Sequence, residues 1–189
     1  MVASAFSCFA QEDRLAGLDI ESRMAHYQVP GVSIAVIRNN SIEWAKGYGY
    51  RDVERKLPVD THTMFEAGSI SKPVAAMGAL WLVEQGKLNL DENVNEKLKS
   101  WKVPVPTLPQ VLDGIKAEKY GLGFQVEGAP VNSFSHGGVD EGFEAILICF
   151  PDTEQGVAIM THAQGGMALA NEIVHAMTDE YNWPHEPDH

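Results

Sequence analysis

Cysteine is almost absent from this chain: Cys8 and Cys149 are its only two, too few for a disulfide framework. Cys149 falls inside the apolar run Ala145-Ile146-Leu147-Ile148-Cys149-Phe150, where a buried thiol acting as a small hydrophobe is expected. Positive charge is scarce too. Fourteen Lys+Arg stand against 26 Asp+Glu, for a net charge of −12, and no basic stripe concentrates the few cations. Such a surface repels phosphate backbones, which excludes nucleic acid as a partner. No apolar run reaches the roughly 18–20 residues that a membrane-spanning helix needs, and no G-x-x-x-x-G-K-[ST] loop offers a phosphate cradle. Internal repeats and low-complexity tracts are also missing. Of the seven histidines, only His185 and His189, near Glu186 and Asp188, form a cluster. It falls in the polar tail 182–189, where a solvated tail is the better account than a metal site. Neither metal nor cofactor is expected.

What remains is an ordinary globular composition, 44% hydrophobic and 21% charged over 189 residues. That length suits one compact domain, assigned to 12–181, which can bury roughly 70% of its unfolded surface without a metal or disulfide staple. Residues 1–11 form a lead. Their run Val2–Ala10 resembles the end of a secretory signal but lacks a basic start and a full apolar core. The location is therefore left between export (periplasmic or secreted) and the cytoplasm.

Periodicity sets the expected elements. Leu15, Leu18 and Met24 mark an amphipathic helix over 12–27, stopped by Val29-Pro30-Gly31. Val32, Ile34 and Val36 then alternate with Ser33 and Ala35, Asn39-Asn40 supplies a tight turn, and residues 31–51 read as a β-hairpin. The longest helical signal, Ile70–Gln85, is apolar on nearly every face, which predicts a buried helix through the protein's centre. Pro73 fits only a first turn, and Gly86 fits a C-terminal cap. Residues 89–118 are polar, with short helical pieces near Glu92–Leu98 and Leu108–Ile115. Strands are predicted over Gly121–Glu127, Ser133–Gly137, Glu144–Phe150 and Val157–Thr161, and a last helix over Met167–Tyr181. This order predicts an α/β (α+β) domain: one mostly antiparallel sheet of residues 31–51 and 120–161, flanked by helices. The first and last helices each carry a single apolar stripe and should share a face.

Two constellations carry chemistry. Ser69-Ile70-Ser71-Lys72 is an S-x-x-K pattern at the start of the apolar helix. A three-residue helical step sets Ser69 and Lys72 on one face, within hydrogen-bond reach. A serine hydroxyl is a poor nucleophile unless a neighbour activates it, and a lysine desolvated by its surroundings is one such neighbour. The bland alternative is a helix start with a solvated lysine, which suits an almost wholly apolar helix badly. The second constellation is Ser135-His136-Gly137-Gly138 within a strand, where paired glycines mark a close approach of backbone or ligand. Its bland alternative is a bulge with a satisfied histidine.

Taken together and in order, these stretches resemble the serine beta-lactamase and penicillin-binding superfamily, in its branch of class C enzymes, DD-peptidases and related esterases. The resemblance is carried by Val29–Val36, Gly47-Tyr48-Gly49, Phe65–Pro73, Gly86-Lys87-Leu88, Tyr120-Gly121-Leu122-Gly123 and Ser135–Gly138. It implies that Ser69 is the acylated nucleophile and Lys72 its partner base. It further implies that His136, Gly137 and Gly138 form the third motif on a sheet edge, and that the amides of Ser69 and Val139 form an oxyanion hole. Many relatives carry Lys-Thr-Gly or Lys-Ser-Gly there. His136 and Gly137 remove a fixed positive charge and a hydroxyl, which tilts the expected substrate from beta-lactams toward small esters or peptide-like amides. The family's large helical domain, with its Tyr-x-Asn or Ser-x-Asn element, is reduced here to a shortened middle at about 102–119, and no such tripeptide occurs. Loss of that half would uncover apolar surface on Ile70–Val83, for which a homodimer is the expected cover.

Two functional readings follow. One is a serine hydrolase, weak because its helical half is reduced, working through an acyl-enzyme on Ser69. The other is a catalytically impaired protein that keeps the fold for binding or scaffolding.

Overall fold

The computed structural model describes residues 15, 17–104, 120–121, 123–128 and 132–184. The lead 1–11, the helical piece expected at Leu108–Ile115 and the end of the tail lie outside the described residues. Helix α1 (Ile20–Tyr27) begins at Asp19, whose carboxylate accepts the Ser22 amide at 3.2 Å, and ends at Gln28 in the left-handed conformation. It starts later than the 12–27 expected from periodicity. Strands β1 (Gly31–Arg38) and β2 (Ser41–Asp52) form the expected hairpin, paired from Gly31↔Gly49 to Arg38↔Ser41. Asn39 and Asn40 make its turn with φ of 51° and 55°, values that asparagine tolerates and a two-residue hairpin turn requires.

After β3 (Leu57–Pro58), a 3₁₀ turn over Gly68–Ile70 leads into α2 (Ser71–Glu84), with Pro73 in its first turn. The short α3 (Val94–Lys97) follows. Where one strand was expected over Gly121–Glu127, the chain makes a tight pair instead, β4 (Tyr120–Gly121) and β5 (Phe124–Glu127). Gly123 between them has φ of 89°, which breaks the extended path where a single strand would have continued. Strands β6 (Ser133–Asp140), β7 (Phe143–Phe150) and β8 (Gln155–Thr161) then form a meander, and α4 (Gly166–Tyr181) closes the fold. The described strands make one antiparallel sheet in the order β3-β2-β1-β8-β7-β6-β5-β4. Both strand groups predicted from sequence therefore lie in a single sheet, as expected.

The core fills one face of this sheet. Val32, Ile34 and Val36 of β1, Val157 and Ile159 of β8, and Leu169, Ile173 and Met177 of α4 are fully buried together. Each such side chain contributes roughly 1.5–3 kcal/mol relative to leaving it exposed. Trp44 on β2 donates its indole N–H to Tyr181 on α4 at 2.8 Å, tying the hairpin to the last helix. Half-buried Cys149, rather than fully buried, sits on β7; desolvation raises its thiol above the usual range.

Helices α1 and α4 share that face and are clamped. Glu172 accepts Arg23 Nε at 2.6 Å, Arg23 Nη2 at 2.8 Å and the Tyr27 hydroxyl at 2.8 Å. These bonds, that from Arg23 above all, hold the Glu172 carboxyl below its ordinary 4.5. A carboxylate with a lowered folded pKa adds stability that is complete above 4.5 and lost as pH falls through the folded value. Thermal melts of the parent and Glu172→Gln are expected to differ most above the ordinary 4.5 and to converge as pH falls through the lowered folded value and the clamp is protonated. A gap that stays constant across this range would remove the carboxylate from the account.

One expectation is corrected. Helix α2 does not run through the centre. Among the described residues only Pro73 is buried along it, while Val74, Met77 and Trp81 are each more than half exposed. All-round apolarity says what a helix can bury, not what covers it. Its described neighbours meet it mainly at the first turn, where Gly123 abuts Pro73 and Ala76.

Candidate active site

The nucleophile turn is held against strand β6 by two glycines. Gly68, at φ of 52°, lies so close that a Cβ there would come within 2.7 Å of the Val139 amide nitrogen. A Cβ on Gly138 would overlap the Ala67 carbonyl oxygen and touch Ile70. The Gly137-Gly138 pair that the sequence singles out is thus explained at its second position, as a close approach of backbone to backbone. Gly137 points the other way, toward the Met167 methyl of α4 at an ordinary distance of 3.7 Å. Since alternate residues share a face of a strand, His136 projects on the same face as Gly138, toward the nucleophile turn.

Aromatic rings brace the turn from behind. Phe65 sits edge-on to Phe143 with centroids 6.3 Å apart, and Phe143 stacks on His162 at 4.9 Å and 11°. Glu144, next to Phe143, is buried and accepts the Gly165 and Met167 amides at 3.0 and 2.6 Å. A carboxylate on the free N–H groups of a helix start is favourable in both hydrogen bonding and charge, so α4 and the hairpin that carries Phe143 are fixed to each other. Phe65 lies in a stretch that carries the resemblance, but none of these supports was given a role from sequence.

Lys72 Nζ donates to Ser69 Oγ at 2.6 Å, so the structure brings the S-x-x-K pair together. Ser69 is half-buried and Lys72 is exposed. The cause is the marginal position of α2 described above.

His136 is buried, and both its ring nitrogens are engaged. Nδ1 lies 2.5 Å from the Gly137 carbonyl oxygen and Nε2 lies 3.0 Å from the Tyr120 hydroxyl. A carbonyl can only accept, so Nδ1 carries a proton, and in the neutral ring Nε2 accepts from Tyr120. The Tyr120 hydroxyl also lies 3.2 Å from the Gly123 carbonyl. Sequence reasoning quoted Tyr120 within its Tyr-Gly-Leu-Gly stretch but gave it no role; a tyrosine sixteen residues from a histidine carries no periodic signal. Outside the pairing with β5, which covers Ser133–Ser135, the outer edge of β6 faces the nucleophile turn. Val139 on that edge is exposed. The arrangement combines a serine, a donor on its oxygen, a backbone edge and a tyrosine–histidine pair. No group of three or more potential metal ligands occurs among the described residues.

Residues 19–110 match the family model described as Beta-lactamase. That stretch contains Ser69 and Lys72 and ends before His136. Protein flp of Staphylococcus aureus (strain N315) is 32% identical over 84 residues, which are 44% of this chain and 17% of that protein. A beta-lactamase of Psychrobacter immobilis is 37% identical over 73 residues, 39% of this chain and 18% of the relative. The match therefore spans less than a fifth of the length of these curated relatives. The fold extends further than the sequence match. The octameric penicillin-binding protein homologue from Pyrococcus abyssi superposes with a TM-score of 0.66 at 15% identity, covering 87% of this chain and 76% of that one. SurE superposes with a TM-score of 0.72 at 12% identity, covering 93% and 77%. The antiparallel sheet with its helices is an α+β fold, shared with these neighbours. Over residues 19–110 the chain is similar to the Beta-lactamase family, and its fold is shared with a penicillin-binding protein homologue.

Proposed function

We propose that this chain is a serine hydrolase that forms an acyl-enzyme on Ser69 and acts on small esters or peptide-like amides. The observation that carries this reading is the 2.6 Å bond from Lys72 Nζ to Ser69 Oγ, at a turn held against a strand edge. Lys72 is the partner of the nucleophile, in position to support negative charge on Oγ as it attacks. The amides of Ser69 and Val139 are the donors for the oxyanion, each of this kind being worth roughly 3 kcal/mol in the transition state. His136, Gly137 and Gly138 line the strand edge along which the acyl part lies. The absence of a lysine and a hydroxyl from the third motif supports esters over beta-lactams. One observation favours the alternative of an impaired binding or scaffold protein: Lys72 is exposed, where water competes for its bond to Ser69.

Intact-mass measurement after incubation with a fluorophosphonate separates the two readings. The hydrolase reading expects one adduct per chain, mapped to Ser69 by peptide digestion. An unmodified mass after prolonged exposure would favour the binding protein. A benzylpenicillin arm is expected to give a slower adduct or none.

A further inference from the structure

No Tyr-x-Asn element occurs in the chain, and Lys72 is a donor to Ser69 in an exposed setting. A donor on Oγ supports its charge but does not take its proton. Serine acylation nonetheless needs a group that accepts that proton and hands it to the departing alcohol or amine. The tyrosine–histidine pair has the properties such a group requires.

Its protons can be counted. With His136 neutral, Nδ1–H is held by the Gly137 carbonyl and the Tyr120 hydroxyl donates to Nε2. If Tyr120 Oη receives a proton and passes its own to Nε2, the ring becomes an imidazolium with both N–H groups engaged. The Tyr120 hydroxyl then turns its hydrogen to the Gly123 carbonyl, 3.2 Å away. The change moves the single hydroxyl hydrogen from Nε2 to the Gly123 carbonyl and needs no displacement of heavy atoms. The pair also sits on the right side of the sheet. His136 projects on the face where Gly138 meets Ala67 and Ile70, and Gly123 abuts Pro73, the residue after Lys72. Tyr120 itself is about half exposed.

We infer that Tyr120, backed by His136, is the proton carrier of the Ser69 reaction, a role that rests on the reading of Ser69 as nucleophile. In acylation, Oγ bonds to the substrate carbonyl carbon as its proton passes to Tyr120 Oη, and the Tyr120 proton passes to Nε2. When the bond to the leaving group breaks, Tyr120 gives that group a proton and regains one from Nε2. Water repeats the sequence in deacylation: its proton enters through Tyr120, and Ser69 leaves protonated. No other reactant is needed.

The test compares the parent with Tyr120→Phe on two esters of one acid, a nitrophenyl ester and an alkyl ester. Nitrophenolate leaves without help, whereas an alkoxide needs a proton. Tyr120→Phe is expected to lose about a hundredfold or more in kcat/KM on the alkyl ester and distinctly less on the nitrophenyl ester. The solvent deuterium isotope effect on the alkyl ester should shrink alongside. An unchanged melting temperature, with a fluorophosphonate adduct that still maps to Ser69 but forms more slowly, would show that fold and nucleophile survive. Equal losses on the two esters, or no loss on either, would overturn the carrier role and leave Ser69 standing. A parent chain that takes no adduct at Ser69 would overturn the underlying nucleophile reading, and the carrier role with it.

Discussion

Ser69→Ala is expected to bring the hydrolysis of a nitrophenyl ester down to the background rate, a loss of more than about a thousandfold. The substitution deletes one oxygen and leaves the rest of the site in place. Ser69 is half-buried and, among the described residues, its hydroxyl bonds with Lys72, so the fold is expected to melt within about 1 kcal/mol of the parent. Loss of activity with retained stability would therefore report on chemistry. Residual binding of substrate or inhibitor, measured by calorimetry, should persist, since the strand edge and Val139 are untouched. Stopped turnover with preserved binding is the pattern of a lost nucleophile. Should the variant hydrolyse the ester as fast as the parent, the reaction would lie elsewhere, and the scaffold reading would take its place.

Gly138→Ala should have the second-largest effect, and it acts through geometry alone. The added methyl overlaps the Ala67 carbonyl oxygen and presses on Ile70 at 3.3 Å. The first of these is backbone and cannot rotate away. The nucleophile turn must then lift from β6 by about an ångström, and misplacement on that scale can cost about a hundredfold in rate. Overpacking of this kind also destabilises by about 1–3 kcal/mol. Gly137→Ala supplies the control within the same motif. Its methyl would meet the Met167 methyl at 3.7 Å and the Ala145 carbonyl oxygen at 3.9 Å, both ordinary contacts, so stability and rate should stay near those of the parent. Activity assays and thermal melts on the two variants decide the matter. If both lose activity alike, the requirement is for chain flexibility in the motif and not for room at Gly138.

Where the sequence was legible, a local rule coincided with the final structure. The alternation of Val32, Ile34 and Val36 and the Asn39-Asn40 turn specify the first hairpin because both the face and the turn are written into neighbouring residues. The S-x-x-K spacing works likewise, since a helical step alone brings Lys72 to Ser69. Helix α2 shows the limit of such rules. Its apolar surface was plain in the sequence, but burial depends on what packs against it, and no periodicity encodes that. The contact between Tyr120 and His136 was hidden for a related reason. It depends on Gly123 reversing the chain between β4 and β5 and on the register Gln125↔Ser135 in the next pairing. Registers of this kind accumulate along a meander and cannot be read from either partner.

The central pairing of the sheet has a consequence for how the molecule comes to exist. Strand β1 is flanked by β2, its neighbour in sequence, and by β8, from Ile37↔Gly156 to Val32↔Thr161. The hairpin can close as soon as residue 52 is available, but the far edge of β1, with its amides and carbonyls, has no permanent partner until residue 161 follows. Closing a contact across so much chain is entropically slow. During synthesis, the half-finished sheet therefore presents a long, apolar, unpaired edge, the kind that recruits other strands. Assembly should thus be limited by the arrival of β8, and any shortage of the C-terminal third would show first as aggregation of the N-terminal hairpin.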